Sequence, residues 1–329
     1  MFTRKLGKCN IEVSALGLGC WAIGGPWTVD SQYPAGWGEV NDAESIRAIQ
    51  FAVDQGINFF DTAANYGAGH SERILGRALA GCRDQVVIAT KFGYRVDENA
   101  KDVTHYGDPR TGDVASHLRQ DCEDSLRRLN TEVIDLYQFH VGYYSPEKIG
   151  PILEVLEELV SEGKIRAYGW STDNPESARR FSQGEHCAAI QHDLTVVSDA
   201  PELIRLCQKR NLASINRSPL GRGLLTGKYT RESVFPENDI RSREDFKDRW
   251  IEPMLNNLDA VQAVLTDHGR TLVQGALCWI WGRSPVTIPI PGFRNVTQLE
   301  ENIAALDHGP LADEEMGAID RLTAQTESR

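Results

Sequence analysis

From about Leu16 onward, short β-branched or apolar runs alternate with longer segments in which apolar positions recur every three or four residues. Uninterrupted apolar runs of this length read as strands covered on both faces, and the longer segments read as amphipathic helices. The strands predicted in this way are Leu16 to Gly19, Ile57 to Phe60, Val86 to Ala89, Val133 to Phe139, Ile165 to Trp170, Ala188 to Gln191, Ala213 to Asn216 and Thr287 to Ile290. Helices are predicted over Ala43 to Gln55, Ser71 to Leu79, Val114 to Leu129, Ile149 to Gly163, Glu176 to Phe181 and Glu202 to Arg210. A further helical pattern, Leu258 to Trp281, is broken by a turn at His268 and Gly269. Gly56, Gly163 and Asn211 fall where C-terminal caps are expected.

Eight strands, each followed by a helix, predict an α/β protein of the (β/α)8 TIM-barrel type rather than an open doubly wound sheet. A dinucleotide-binding sheet would place G-x-G-x-x-G after its first strand, and Gly17, Gly19, Gly24 and Gly25 do not have that spacing. Ahead of the first strand, Phe2 to Lys5 and Ile11 to Val13 flank a turn, predicting an N-terminal β-hairpin that plugs one end of the barrel. No linker divides residues 1–329, which read as a single domain. Gly24 to Val40, Tyr94 to Asp113 and Tyr229 to Trp250 read as long loops on the C-terminal face, where barrels build their sites.

The formal charge of −12 and pI near 5.2 argue against a nucleic-acid or anionic-membrane partner. There is neither a leader pattern nor an 18-residue uncharged apolar stretch, so a cytoplasmic protein is expected, with no signal for its oligomeric state. The seven cysteines include no C-x-x-C pair and read as reduced thiols in the core, and no metal site is expected.

Polar groups stand just past the apolar strands: Asp61 and Tyr66 after the second, Lys91 after the third, His140 after the fourth. Each alone has an ordinary structural role as a cap, a snorkelling strand end, an aromatic anchor or a core imidazole. Together, at the mouth of one barrel, they form a carbonyl-polarising set. An ammonium beside a phenol favours phenolate, so Lys91 is expected to lower the pKa of Tyr66, while Asp61 holds Lys91 and His140 donates to a carbonyl oxygen.

These segments resemble the aldo-keto reductase family, whose pattern is Asp-Thr-Ala followed by Tyr-Gly, then Thr-Lys, then Leu-Tyr-x-x-His. Asp61-Thr62-Ala63, Tyr66-Gly67, Thr90-Lys91 and Leu136-Tyr137-Gln138-Phe139-His140 match it. So do Ser71-Glu72, Gly163-Lys164-Ile165-Arg166 and Ser218-Pro219-Leu220-Gly221-Arg222-Gly223. The resemblance implies that Asp61, Tyr66, Lys91 and His140 are a catalytic tetrad and that hydride passes between nicotinamide and a carbonyl while Tyr66 supplies the proton. It further implies that Ser171, Thr172 and Gln191 meet the carboxamide, with Thr172 where the family has Asn. Arg217 stands where an aromatic residue often stacks on the nicotinamide, Ser218, Leu220 and Arg222 meet the pyrophosphate, and Gly292 replaces a frequent Lys. Arg294, beside a helix start and carrying a fork suited to a 2′-phosphate, favours NADP(H), with NAD(H) as the other option. Gln298, Glu301 and Asn302 recur at one-turn spacing and would face the adenosine end.

Aromatics from the mouth loops, Trp21, Trp27 and Tyr94 with Trp37 and Tyr143, are candidates for substrate contact and equally for loop packing. The expected activity is reduction of an aldehyde or ketone. The alternatives are an NAD-dependent sugar or polyol dehydrogenase, and a noncatalytic cofactor-binding regulatory subunit on the same fold.

Overall fold

A computed structural model describes residues 2–106, 113–230, 232–242 and 252–327. The parts of the Tyr94 to Asp113 and Tyr229 to Trp250 readings that fall on 107–112, 231 and 243–250 lie outside the described residues. Strands β1 (Thr3–Leu6) and β2 (Ile11–Ser14) pair antiparallel as the predicted hairpin. Then come β3 (Leu18–Gly19), β4 (Thr28–Val29), β5 (Tyr33–Pro34), β6 (Phe59–Asp61), β7 (Val87–Phe92), β8 (Tyr94–Asp97) and β9 (Asp102–His105). The remainder are β10 (Ile134–Phe139), β11 (Ile165–Ser171), β12 (Cys187–Asp193), β13 (Ala213–Arg217) and β14 (Thr287–Pro289).

The eight-stranded sheet runs β3-β6-β7-β10-β11-β12-β13-β14, every pair parallel. Its edges meet: the amide of Gly17 donates to Pro289 O at 3.0 Å and that of Gly19 to Pro291 O at 3.0 Å. A Cβ on Gly17 would lie 2.5 Å from the Phe59 ring, and one on Gly19 would lie 2.8 Å from Ile290 O. These two glycines therefore serve barrel closure, which explains why they lack dinucleotide-loop spacing. Helices follow the strands at Asp42–Asp54, His70–Leu79, Val114–Leu129, Gly150–Ser161, Pro175–Phe181 and Pro201–Arg210, and at Leu272–Arg283 and Val296–His308. The long C-terminal pattern resolves into helices Glu252–Leu265 and Leu272–Arg283 separated by a turn at Asp267–Gly269.

The core has two parts. Leu6, Ile11 and Val13 of the hairpin join Phe59, Val87, Ala89, Leu136, Ala167, Ala189, Ala213, Ile215, Ile288 and Ile290 inside the barrel. A larger shell, including Ile49, Leu75, Leu126, Leu156 and Ile280, lies between strands and helices. The hairpin thus seals the N-terminal end and leaves the C-terminal end as the only mouth of the described barrel.

Two readings need correction. Gly24 to Val40 and Tyr94 to Asp113 are not plain loops, because β5, β4, β9 and β8 form a separate four-stranded sheet beside the mouth. The alternation Tyr94-Arg95-Val96-Asp97 and Asp102-Val103-Thr104-His105 is that of a two-faced hairpin, turned where Asp97 Oδ1 accepts the amides of Asn99 and Ala100 at 3.0 Å each. A further helix, Asp313–Glu327, with Asp313, Glu314 and Glu315 in its first turn, was not shown by the apolar pattern.

Candidate active site

Side chains alternate along a strand, so the row that packs the barrel interior continues toward the mouth at every second residue. Phe59 is followed on that face by Asp61, Val87 and Ala89 by Lys91, Leu136 by Gln138 and His140, Ala167 by Gly169 and Ser171. Ala189 leads in the same way to Gln191, and Ala213 and Ile215 to Arg217. Each row changes from apolar to polar as it leaves the plugged end. Strand alternation thereby gathers the predicted polar residues into one cluster.

At its centre lies Lys91, 1% exposed. Its ammonium donates to Asp61 Oδ1 at 2.5 Å, Thr62 O at 2.8 Å and Tyr66 OH at 3.1 Å, which uses all three protons. The other oxygen of Asp61 accepts from Gln138 Nε2 at 2.9 Å and Gln191 Nε2 at 2.8 Å. Burial by itself would lower the pKa of Lys91, but the charges and hydrogen bonds of Asp61 and Tyr66 outweigh it, and the ammonium is held above its ordinary value. Tyr66 corrects an expectation. Lys91 does pull its pKa down, yet burial pushes harder in the other direction, with Asp61 adding to it, and the phenol ends above its usual value. It is a proton-holding phenol at neutral pH rather than a partly ionised one.

Tyr66 stands on a turn built for close approach. Gly67 has φ +63°, and a Cβ there would fall on the carbonyl oxygen of Gly24. The mouth loop is therefore seated directly on the residue after Tyr66. Behind Lys91, the Ser71-Glu72 pair holds elements together. Glu72 accepts from Thr90 Oγ1 at 2.5 Å and from Arg128 Nε at 2.6 Å, and Ser71 donates to Cys20 O at 2.7 Å. These bonds tie β7, the helix 114–129 and the end of β3 to one another.

His140 lies against Tyr66, ring centroids 5.8 Å apart and nearly perpendicular, and its Nδ1 is 3.0 Å from Asn65 Oδ1. Burial, then Lys91, Arg217 and His105, drive its pKa well below the ordinary histidine value, so the ring is neutral. Trp21 stacks on Tyr66 at 5.7 Å and donates from its indole to Ala35 O at 2.9 Å, while Tyr94 meets His140 at 5.5 Å. These two candidates therefore flank the phenol and the imidazole. Trp27 is 6% exposed and packs with Ala35, Ala63, Ala68 and Val103, Trp37 packs edge-on to Trp21 at 5.1 Å, and Tyr143 is exposed with its hydroxyl on His105.

The remaining candidates ring the mouth. Ser171 is buried beside Gln191, whose amide nitrogen is engaged by Asp61. The Thr172 hydroxyl donates to Gly142 O at 2.7 Å and accepts from the amide of Asn174 at 3.1 Å, which commits it to the loop. Arg217 pairs with Asp193 at 2.7 Å and with Asp173. Beside it, Gly142, Tyr144, Thr172, Asp173 and Asn174 line a cavity of about 710 Å³ that opens next to the Lys91 cluster rather than on it. Ser218, Gly221, Arg222 and Gly223 all have positive φ, so the segment carrying Leu220 turns sharply at the end of β13. Gly292 and Arg294 are exposed, and Arg294 differs from the free fork expected: its guanidinium donates to the carbonyls of Trp37 and Glu39. Gln298 Oε1 accepts the Arg294 amide at 2.8 Å, and Asn302 is 3% exposed with no side-chain hydrogen bond to another described residue.

Gln138, Asn65, Asp173 and Asp193 are the functional candidates that sequence reasoning missed. Gln138 was within reach, since it sits midway between Leu136 and His140 on the inward row.

The barrel is plugged at one end and carries, at the other, an ion-paired lysine bonded to a tyrosine beside a neutral histidine. Residues 15–324 match the aldo/keto reductase family, and the chain belongs to it. It is 33% identical over 309 residues to the NADH-specific methylglyoxal reductase of Escherichia coli (strain K12), covering 92% of each chain. Among solved structures it is similar to the glycerol dehydrogenase AKR11B4 from Gluconobacter oxydans, with TM-score 0.82, 33% identity and coverage of 99% of this chain and 96% of that one. It is also similar to an aldo-keto reductase from Klebsiella pneumoniae in complex with NADPH, with TM-score 0.68, 27% identity and coverage of 98% and 96%. The chain is thus an oxidoreductase of a nicotinamide-using family. Among the described residues no helix is long and apolar enough to cross a membrane.

Proposed function

We propose that this protein reduces an aldehyde or ketone to the alcohol with NADP(H), and that Asp61, Tyr66, Lys91 and His140 are its catalytic tetrad. The observation that carries this reading is the buried ammonium of Lys91, shared between Asp61 Oδ1 at 2.5 Å and Tyr66 OH at 3.1 Å. The bound nicotinamide supplies the hydride. Tyr66 delivers the proton from its phenol oxygen as negative charge grows on the substrate oxygen, and the phenolate left behind is stabilised by the ammonium already donating to it. Asp61 keeps that ammonium charged and aimed in the resting site, and Gln138 and Gln191 keep Asp61 in place. His140, neutral, directs the substrate oxygen toward Tyr66, and Trp21 and Tyr94 wall the approach and keep water from it.

The residues present fit a dinucleotide along the β11 to β14 side of the mouth. Ser171 and Gln191 Oε1 would hold the carboxamide, and Arg217 would stand on the nicotinamide side. The sharply turned Ser218, Leu220 and Arg222 segment would receive the pyrophosphate. Gly292, Arg294, Gln298 and the unengaged, buried Asn302 would hold the adenosine end. Thr172 contributes through loop shape, its hydroxyl being spent. The Klebsiella relative in complex with NADPH and the remaining donors of Arg294 support NADP(H).

Oxidation of a polyol with NAD(H) is the second reading, favoured by Gly292 in place of a cation and by the engagement of Arg294 with the Trp37 and Glu39 carbonyls. Steady-state kinetics on an aldehyde and polyol panel with each cofactor separates the two, and Arg294→Ala, which should weaken NADPH more than NADH, tests the 2′-phosphate assignment. The tetrad is tested by Tyr66→Phe. We expect kcat for carbonyl reduction to fall on the order of 100-fold or more with the cofactor Kd unchanged, because the phenol acts in the transition state. Retained turnover would remove Tyr66 from its role.

A further inference from the structure

To meet a substrate carbonyl, His140 must present an N–H from Nε2, and a neutral imidazole has one ring proton to place. The partner of Nδ1 therefore decides what Nε2 can do. That partner is the carboxamide of Asn65, 3.0 Å away and 5% exposed. Both residues are held by their backbones: the His140 amide donates to Phe92 O at 2.9 Å, and Asn65 O accepts from Ala68 at 3.0 Å. The titratable and charged groups facing the ring are Lys91, Arg217 and His105, with the phenols of Tyr66 and Tyr94 against its faces. None of these is a carboxylate, so none of these described groups favours the imidazolium.

We propose that Asn65 is a positioning residue that sets the tautomer of His140. With the amide oxygen on Nδ1, as the structure has it, the ring proton sits on Nδ1 and Nε2 is an acceptor. With the amide nitrogen on Nδ1, the proton sits on Nε2, the state that donates to a carbonyl oxygen. A half-turn of the Asn65 amide interchanges the two, one proton leaving Nδ1 for solvent as another is taken up at Nε2, and the net charge does not change. Asn suits this position because its two ends differ, whereas Asp offers only oxygens and Leu offers neither. The inference rests on the reading of His140 as the group that meets the substrate oxygen.

The test is two-bond ¹H–¹⁵N correlation spectroscopy on the ¹⁵N-histidine-labelled protein, with the His140 signals assigned by their loss in His140→Phe. Wild type, Asn65→Asp and Asn65→Leu are compared between pH 6 and 9, alongside kcat/KM for carbonyl reduction. At pH 8, Asn65→Asp should show the Nδ1–H tautomer with kcat/KM lowered on the order of 100-fold. Its activity should recover as pH falls, because the new carboxylate raises the pKa of the ring and the imidazolium again donates from Nε2. Asn65→Leu should show Nε2–H. The same tautomer in all three proteins, or an Asn65→Asp pH profile unchanged from wild type, would overturn the proposal. If Asn65→Leu does not fold, the isosteric Asn65→Asp decides alone. Full activity in His140→Phe would instead sink the role assigned to His140, and the spectra would still report whether Asn65 sets the tautomer.

Discussion

Replacing Lys91 by Met keeps most of the side chain's bulk and removes its charged, hydrogen-bonding end. Three donated bonds are lost, to Asp61 at 2.5 Å, Thr62 O at 2.8 Å and Tyr66 OH at 3.1 Å. Asp61, 1% exposed, is left as a buried carboxylate without its counter-ion. Removing one partner of a buried pair costs about 3–5 kcal/mol. Because Gln138 and Gln191 still donate to Asp61 Oδ2, the lower end, about 3 kcal/mol, is expected. For a 329-residue chain that corresponds to a fall in Tm on the order of 4 °C. Asp61→Asn should cost a similar amount by stranding the ammonium. The Lys91→Met/Asp61→Asn double variant removes both charges, so it should lose less than the sum of the singles by at least about 2 kcal/mol. Urea titrations of all four proteins, followed by tryptophan fluorescence and circular dichroism, measure this coupling. Strict additivity, or a Lys91→Met midpoint equal to wild type, would refute the view that the pair is buried and mutually dependent.

Two further perturbations follow from the geometry. Asp121 has its pKa pushed up to about 7 by burial, which the Tyr106 hydrogen bond and Arg128 do not offset. The native state thus keeps a proton that the unfolded chain releases above about pH 4, and stability declines as pH rises through that window, by up to roughly 4 kcal/mol. Asp121→Asn, which keeps the acceptor for Tyr106, should therefore be more stable than wild type at pH 8 and converge with it near pH 4, as read by thermal melts; parallel curves would contradict the assignment. Gly67→Ala places a methyl group on Gly24 O at a positive-φ position, and should lower kcat at least roughly tenfold through displacement of Tyr66, while the far-ultraviolet dichroism stays native. Unchanged kcat would show that the Gly24 contact does not seat Tyr66.

The barrel was legible because its strands are buried on both faces and read as uninterrupted apolar runs. The same rule set its own limit. Lys91, Ser171 and Arg217 lie within β7, β11 and β13 but past the ends of the runs read from hydrophobicity, which stop near the first polar residue, while Gln191 closes the run read for β12. These polar positions line the candidate site. The four-stranded sheet was hidden for a different reason: β4 and β5 are two residues each, too short to show any period. The proximity of Asp61, Tyr66, Lys91 and His140 could be inferred from strand order, yet the direction of the Tyr66 shift could not, because it turns on the depth of burial, which alternation along a strand does not reveal.

Arg217 shows most clearly what sequence leaves out. In the linear chain it is a cation at a position where a flat, neutral ring is usual, and a lone guanidinium there would oppose the positive ring of an oxidised nicotinamide. Folding brings Asp173 from the end of β11 and Asp193 from the end of β12 onto it. One arginine with two carboxylates has a net formal charge of −1, and the carboxylates hold the guanidinium firmly charged against the pull of burial. The rim thereby carries a net negative charge in place of a lone positive one, while the Lys91–Asp61 pair deeper in the mouth stays neutral overall. In the proposed reaction the buried cluster would move a proton without adding net charge, and the rim would supply the sign that a positively charged ring favours.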